Sequence, residues 1–584
     1  MAVAVKKKKL GGSRFASRSS GSGSAQEQSP LRPEYAEKKP PCRVGCPNET
    51  KIREIITTIA QTEDSGRTYP ESYKIAYDLL IERNPLPATC GRVCPHPCES
   101  ECNRQYKDGS VAINNIERFV GDYAIEHNFP IPKLTDEVYN EKIAIIGAGP
   151  AGLSCAYQLA RQGYNNITIY EAFSKPGGML RYGIPDYRLP QDQLDKEIQR
   201  IIDLGIELKT NTIIGKDISY EQIQEEADAI FVGIGAHKGK SLRLPNEDAD
   251  NVMSGVFFLN MINQGKPVEV GNKVLVVGGG DTAIDAARIS RRLGADVTIV
   301  YRRTRNEMPA IEEEIVGAEE EGVKFDFLVA PNELILGDDG LVKAMICQRM
   351  ELGEPDESGR RRPVPIDEFV TYDCSLIIPA ISQEPDFDSL QQLREGKDWG
   401  KVDEKYKTKL ENTYSGGDDI DLGLVTIAIY QGRKAAETIH CTFRGIEPEP
   451  EPDLDQEVVR QNRIVFDYYA NKVRNSPVHV SPEERLKEID IEITSTFTEE
   501  QLIDETKRCL SCGHCFDCGT CWSICQDQVI HKPLVKFQPY TFKLDVCKGC
   551  NKCADACPCG YIEMKNPMTG QYAPHGEDGK VIYP

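Results

Sequence analysis

Lys142-Ile-Ala-Ile-Ile-Gly147-Ala-Gly149-Pro-Ala-Gly152 decides the fold. A short apolar run reads as a buried parallel strand, a glycine-rich turn follows, and an apolar-periodic helix opens behind it. That context makes a GxGxxG run a dinucleotide fingerprint. The glycines let the backbone turn tightly and approach a pyrophosphate, which rests on the unpaired N–H groups of the helix N-terminus. The same grammar recurs in Lys273-Val-Leu-Val-Val-Gly278-Gly-Gly280-Asp281-Thr282-Ala283. One such run is weak; two, each with a second strand on schedule, predict two Rossmann-like nucleotide-binding domains.

The second strands tell the sites apart. Twenty-four residues after Gly147 stands Glu171, at the end of Asn166-Ile-Thr-Ile-Tyr170. A carboxylate there accepts from ribose hydroxyls. The same count from Gly278 reaches Arg302, followed by Arg303 and Arg305, at the end of Val297-Thr-Ile-Val-Tyr301. Guanidinium groups suit a 2′-phosphate, although a solvated strand end is the plainer alternative. The first site therefore reads as FAD and the second as NADP(H). Asp281 and Asp285, at the second helix start, read as caps rather than as groups facing a nicotinamide.

The chain has 584 residues, enough for several domains, and a formal net charge of −21, which argues against nucleic acid as a partner. No apolar run reaches membrane-spanning length, and Lys6 to Lys9 have no apolar segment behind them. The expectations are a cytoplasmic protein and a disordered basic Ser/Gly-rich tail over 1–35. Of 21 cysteines, only Cys155, Cys347, Cys374 and Cys441 fall inside the nucleotide-binding core. The others crowd both ends at CxxC-like spacing, which means metal rather than disulfides.

At the C-terminus, Cys515-x2-Cys518-x2-Cys521-x3-Cys525 is followed by Cys547-x2-Cys550-x2-Cys553-x3-Cys557-Pro558. This is two-cluster ferredoxin spacing, in which each fourth cysteine serves the other cluster. One [4Fe-4S] set is then Cys515, Cys518, Cys521 and Cys557; the other is Cys547, Cys550, Cys553 and Cys525. Gln526 stands where proline usually follows the first run, zinc ribbons are the alternative, and Cys559 has no assigned role.

Toward the N-terminus, Asn84-Pro-Leu-Pro-Ala-Thr-Cys90-Gly-Arg-Val-Cys94-Pro-His-Pro-Cys98 precedes the first fingerprint, and Gly177-Gly178-Met-Leu-Arg-Tyr-Gly-Ile-Pro185 follows it. Pro95 and Pro97 exclude a plain helix through the cysteines. With Gly147 to Gly152, these stretches resemble the small subunit of NADPH-dependent glutamate synthase. Its core is shared with the N-terminal half of dihydropyrimidine dehydrogenase and with NADPH:ferredoxin transhydrogenases. The resemblance covers about Pro40 to Phe443. It implies that Gly178, Gly417, Asp418 and Val425 help hold FAD. It implies one N-terminal [4Fe-4S] cluster on Cys46, Cys94 and Cys98, with Glu117 where the family has a non-cysteine ligand, and a second on Cys42 and Cys102. Cys90 is left as a buried structural thiol. The second cluster's usual Cys-Leu-x-Cys upstream of Cys42 is missing. Cys509-Leu-Ser-Cys512 carries that pattern far downstream and is the candidate replacement; the alternative is that this cluster is absent or has three cysteine ligands.

The fold expected is α/β. A helical iron–sulfur domain (36–135) precedes an FAD domain (136–265 and 375–443) with an inserted NADP(H) domain (266–374). An acidic linker and helical arm (444–508) lead to an α+β ferredoxin-like domain (509–584). The expected activity is an NAD(P)H:acceptor oxidoreductase using FAD and [4Fe-4S] clusters, two C-terminal and one or two N-terminal, with NADPH favoured over NADH. Hydride transfer belongs to FAD, so no catalytic side chain is assigned. The resemblance implies a protein partner such as ferredoxin, dissimilatory sulfite reductase or another reductase subunit, and leaves the oligomeric state open. The alternatives are the electron-input subunit of glutamate synthase and a structural cluster-bearing module.

Overall fold

The computed structural model describes residues 28–356, 359–395, 399–448 and 456–582. Most of the expected basic tail and the centre of the acidic linker lie outside these residues. The chain divides into two compact units: Glu37–Gln461 with Phe466–His514, and the stretch up to Ala36 with Asn462–Val465 and Cys515–Pro584.

After a short helix Pro41–Val44, which carries Cys42, the larger unit has helices Ile52–Ala60, Tyr69–Ile81, Pro87–Val93 and Ile113–Glu126. Thr68 and Glu71 form a capping box that starts the Tyr69–Ile81 helix. Their apolar faces (Ile55, Ile59, Tyr73, Leu80) join one core with Leu153 and Ile169 of the first nucleotide-binding domain. Gly91 and Gly121 let Pro87–Val93 and Ile113–Glu126 cross closely: a Cβ on Gly91 would stand 2.4 Å from the Arg118 Cα.

The first Rossmann sheet has five parallel strands in the order Thr413–Ser415, Ala229–Val232, Tyr139–Ile146, Tyr164–Tyr170, Glu207–Lys209. The last four residues of Tyr139–Ile146 are buried, as a strand covered on both faces requires. The helix Pro150–Arg161 follows the glycine turn, and the 20-residue helix Val425–Arg444 packs against it. A Cβ on Gly432 would lie 2.1 Å from the Ala151 carbonyl oxygen, so only glycine permits that crossing.

The second sheet runs Leu376–Pro379, Lys273–Val277, Asp296–Tyr301, Lys324–Phe327, again parallel. This corrects the expected boundary at 375. Leu376–Pro379 is an edge strand of the inserted domain's sheet, and the chain leaves that domain only afterwards. The helix Gly255–Asn263 likewise sends Phe258 and Leu259 into the second domain's core, ahead of the boundary expected at 266. An antiparallel sheet of Val329–Leu336, Val342–Pro355 and Arg361–Asp373 completes the insertion.

The arm over Phe466–His514 is mostly irregular rather than helical, with helices only at Pro482–Arg485 and Glu499–Thr506 beyond a single 3-10 turn at Phe466–Tyr468. It straps the domains of this unit together. On one side, the Arg292 guanidinium donates to the Ile489 carbonyl (2.9 Å), Ile493 N–H donates to the Tyr187 carbonyl (3.1 Å), and Arg485 pairs with Glu320 (2.9 Å). On the other, Glu492 receives both Arg92 and Arg118 of the helical domain at 2.8 Å.

In the smaller unit Arg32–Tyr35 pairs antiparallel with Ile562–Lys565, and Ile530–His531 with Thr541–Phe542. The last residues of the expected tail are thus a strand. Leu31, Val529, Ile530, Ile562 and Met564 build its core around the cysteine runs. No helix among the described residues is long and apolar enough to cross a membrane.

Candidate functional site

The first glycine turn opens onto a cavity of about 630 Å³ lined by Gly147, Gly149, Glu171, Gly178, Gly417, Asp418 and Val425. Seven of the eight expected FAD residues therefore converge. Gly152 does not line the cavity: a Cβ there would stand 2.1 Å from the Gly147 carbonyl oxygen, so it serves the closure of turn onto helix. Gly147 has φ +101°, and a Cβ would fall 2.3 Å from the Gly233 carbonyl oxygen. The Glu171 carboxylate accepts from Ala148 N–H and Phe173 N–H, both at 2.8 Å. Burial raises its pKa, while those N–H donors oppose the shift. Asp418 accepts from Gly423 N–H (3.1 Å) and is pushed up to about 6 by burial.

His237 also lines this cavity, and no motif pointed to it. Burial pulls its pKa down to about 4, so the ring is neutral at pH 7, and its Nδ1 is buried without a hydrogen-bond partner among the described residues. The lining suits a dinucleotide: glycines whose close backbone crossings leave no room for a side chain, a buried carboxylate at the second strand, and an unsatisfied buried ring nitrogen. The helix Val425–Arg444 begins at the cavity wall, where its partial positive charge favours an anion. Thr426, its second residue, stands beside the Cys94 thiol and slightly lowers its pKa, without closing a well-formed hydrogen bond.

The second glycine turn faces a cavity of about 540 Å³ lined by Gly278, Gly280, Thr282, Arg302 and Arg303. Gly279 is required as well, since a Cβ would meet the Tyr301 ring at 2.6 Å. Ala283 is fully buried in the core beneath the turn. Asp281 is not a cap: Gly280 holds that position, and the Asp281 carboxylate accepts from Ile311 N–H (3.0 Å). Asp285 is not a cap either; it is buried and accepts from the Tyr187 hydroxyl and Arg188, both at 2.8 Å.

The two arginines separate. Arg302 is exposed at the cavity and makes no ion pair among the described residues. Arg303 is buried, paired with Asp356 (2.9 Å), and donates to the Arg361 carbonyl (2.7 Å). Arg360, from the turn of the antiparallel hairpin, is a third arginine in the lining, one that sequence reading did not find.

The cysteines gather in sets. In the smaller unit one small cavity is lined by Cys515, Cys518, Cys521 and Cys557, and another by Cys525, Cys547, Cys550 and Cys553. Cys559 lines the first, with its sulfur 3.9 Å from that of Cys557. In the larger unit Cys98 lies within electrostatic reach of Cys46 and Cys94. Glu117 acts on both of those, accepts from Asn84 (2.6 Å), and is pushed up to about 7 by burial. Cys42, Cys102, Cys509 and Cys512 are likewise mutual neighbours. Cys90 is fully buried, and its thiol stands 3.7 Å from the Asn84 side-chain oxygen. Among the described residues no three Cys, His, Asp or Glu side chains converge tightly enough to grip a single metal ion.

Residues 141–432 match the family described as pyridine nucleotide-disulphide oxidoreductase, and residues 34–129 match the dihydropyrimidine dehydrogenase domain II, 4Fe-4S cluster. The chain is 37% identical over 515 residues to the NADPH-Fe(3+) oxidoreductase subunit beta of Geobacter sulfurreducens, covering 81% of this chain and 75% of that one. It is 38% identical over 510 residues to the NADP(+)-dependent formate dehydrogenase subunit beta of Moorella thermoacetica, covering 81% and 70%. It is 34% identical over 428 residues to the glutamate synthase [NADPH] small chain of Escherichia coli, covering 68% and 88%. With two dinucleotide cradles and a cysteine-bearing helical domain ahead of them, the chain belongs to the glutamate synthase small chain-like family of pyridine nucleotide-disulphide oxidoreductases.

Proposed function

We propose that this oxidoreductase moves electrons from NADPH, bound in the second cradle, to a one-electron protein acceptor. FAD would sit in the first cradle, and [4Fe-4S] clusters on Cys46, Cys94, Cys98 and Glu117 and on the two cysteine quartets of the smaller unit. Bound there, flavin supplies the exchange between a two-electron hydride and single electrons, and clusters supply the one-electron steps. The residues position and tune. Glu171 and the glycines hold the ribose and pyrophosphate ends. Arg302 meets the 2′-phosphate. The N-terminus of Val425–Arg444 stabilises negative charge at the flavin. His237 stays neutral, and no side chain is required to move a proton for the nicotinamide half.

The observation that carries this reading is Cys94 standing beside Thr426, at the start of the helix that walls the FAD cavity. Electrons would leave the flavin toward the helical domain on that side. The test is anaerobic titration of the purified chain with NADPH. The flavin band should bleach, followed by the cluster bands. A flavin that stays oxidised in excess NADPH ends the proposal.

Relatives named as subunits support a partner chain, which we take to be a ferredoxin, dissimilatory sulfite reductase or another reductase subunit. The match to 88% of the glutamate synthase small chain favours a second reading, electron input to a glutamate-forming partner. Glutamate production on mixing with a glutamate synthase large subunit would decide for it.

A further inference from the structure

The segment Cys509–His514 belongs with the larger unit, although it sits directly before the ferredoxin-like run. It is fastened there from several directions. The Arg508 side chain, fully buried, donates to the carbonyls of Asp108, Gly109 and Ser110 and pairs with Glu505. Arg104 donates to the Arg508 carbonyl at 3.0 Å, and Arg53 to the Cys512 carbonyl at 2.9 Å. Lys38 N–H donates to the Gly513 carbonyl at 3.2 Å. These bonds bring Cys509 and Cys512 to the loop that carries Cys102 and to the helix that carries Cys42.

Two details of the loop go beyond proximity. Ser511, the third residue of Cys509-Leu-Ser-Cys512, has φ +50°, a conformation that non-glycine residues adopt only at a cost. Its N–H points at the Cys509 sulfur, 3.4 Å away. The third residue of Cys547-Lys-Gly-Cys550 does the same: Gly549 has φ +69°, and its N–H stands 3.5 Å from the Cys547 sulfur. Asp517, third in Cys515-Phe-Asp-Cys518, also has positive φ, +59°. The Cys509 loop therefore has the shape of the two loops that open the ferredoxin-like quartets. The Asn103 amide adds a second N–H···S contact, 3.5 Å from the Cys512 sulfur. Donors aimed at sulfur are what a cluster-bound thiolate takes.

We infer that Cys42, Cys102, Cys509 and Cys512 ligate one [4Fe-4S] cluster, assembled from two stretches some 400 residues apart in sequence. The cluster fixes the end of the strap to the N-terminal domain before the chain enters its smaller unit. The inference rests on the proposed iron–sulfur reading, and flavin bleaching by NADPH tests that reading separately.

The experiment compares the full chain with two variants, Cys42→Ala and Cys509→Ala/Cys512→Ala, all purified anaerobically. Each variant should lose about four irons and four sulfides per chain and keep its FAD. All three substitutions together should lose no more than either variant alone. A variant that keeps FAD and its full iron, or zinc in place of the missing iron, overturns the inference. If a variant does not accumulate, alkylation of the unsubstituted holoprotein decides. Cys42, Cys102, Cys509 and Cys512 should resist labelling until iron is stripped and then label together. Labelling of Cys509 or Cys512 in the iron-replete protein overturns the inference.

Discussion

Arg302 and Arg303 are neighbours in sequence with different lives. The Arg303 charge is spent on Asp356, whereas Arg302 faces the cavity without an ion pair among the described residues. Arg302→Glu should therefore raise KM for NADPH about 10- to 100-fold, the value of one charge-assisted hydrogen bond, with little change for NADH. Arg303→Gln should change that ratio much less, because its work is to tie the strand end to the hairpin. Equal losses for both coenzymes with Arg302→Glu would show that no 2′-phosphate is read there. Asp419, next to Asp418 of the first cavity, is buried with one carboxyl oxygen bonded to Ser415 (2.7 Å) and the other without a partner among the described residues. Burial pushes its pKa up to about 8. A carboxyl that holds its proton more tightly folded than unfolded, where its pKa is about 3.9, contributes stability that is complete below that value and lost as pH rises toward about 8. The slope is at most about 1.4 kcal/mol per pH unit. Thermal unfolding of the holoprotein should fall between pH 6 and pH 8, and Asp419→Asn should flatten that fall. An equal fall in the variant refutes the assignment.

Among the elements, the strap over Phe466–His514 was the least legible and does the most joining. Its centre is Glu492, which pairs with Arg92 and Arg118, whose guanidinium groups are buried. Burial and the neighbouring Arg92 pull Arg118 down to about 10, so its charge depends on Glu492 and the more distant Asp122. Glu492→Ala leaves Arg118 short of a partner at a cost of about 2–3 kcal/mol, below the full penalty for a stranded buried charge because Asp122 remains. The strap should then come loose. Limited proteolysis should cut within 475–497 faster than in the unsubstituted chain, and an unchanged cutting pattern would count against the strap. The helices at the cradles follow from local chemistry instead. Val425–Arg444 ends at Gly445 in the left-handed region and crosses Pro150–Arg161 where Gly432 removes a Cβ.

At the scale of the molecule, the two nucleotide cradles and the two C-terminal cysteine quartets were readable from the sequence. Each depends on short sequence patterns: a glycine turn between strand and helix, a carboxylate or arginine one strand later, and two runs of cysteines separated by two and three residues. Short-range geometry of that kind is set by backbone dihedrals and side-chain type. The domain edges at 266 and 375 were misplaced because a four-residue apolar strand such as Leu376–Pro379 pairs equally well with either parallel sheet, and only hydrogen-bond register with Lys273–Val277 decides. Asp281 and Asp285 looked like caps because an acid at a helix start normally finds its own N–H groups; here Ile311, Tyr187 and Arg188 compete for them from elsewhere. His237 carries no motif, since its role comes from burial alone. The sequence by itself determined which chemistry this protein carries, through local runs of glycine, acid, arginine and cysteine. Only the tertiary structure decided which arginine is left for a phosphate, which domains the strap joins, and which cysteines from opposite ends of the chain meet. Those outcomes depend on long-range packing and charge pairing that no local run encodes.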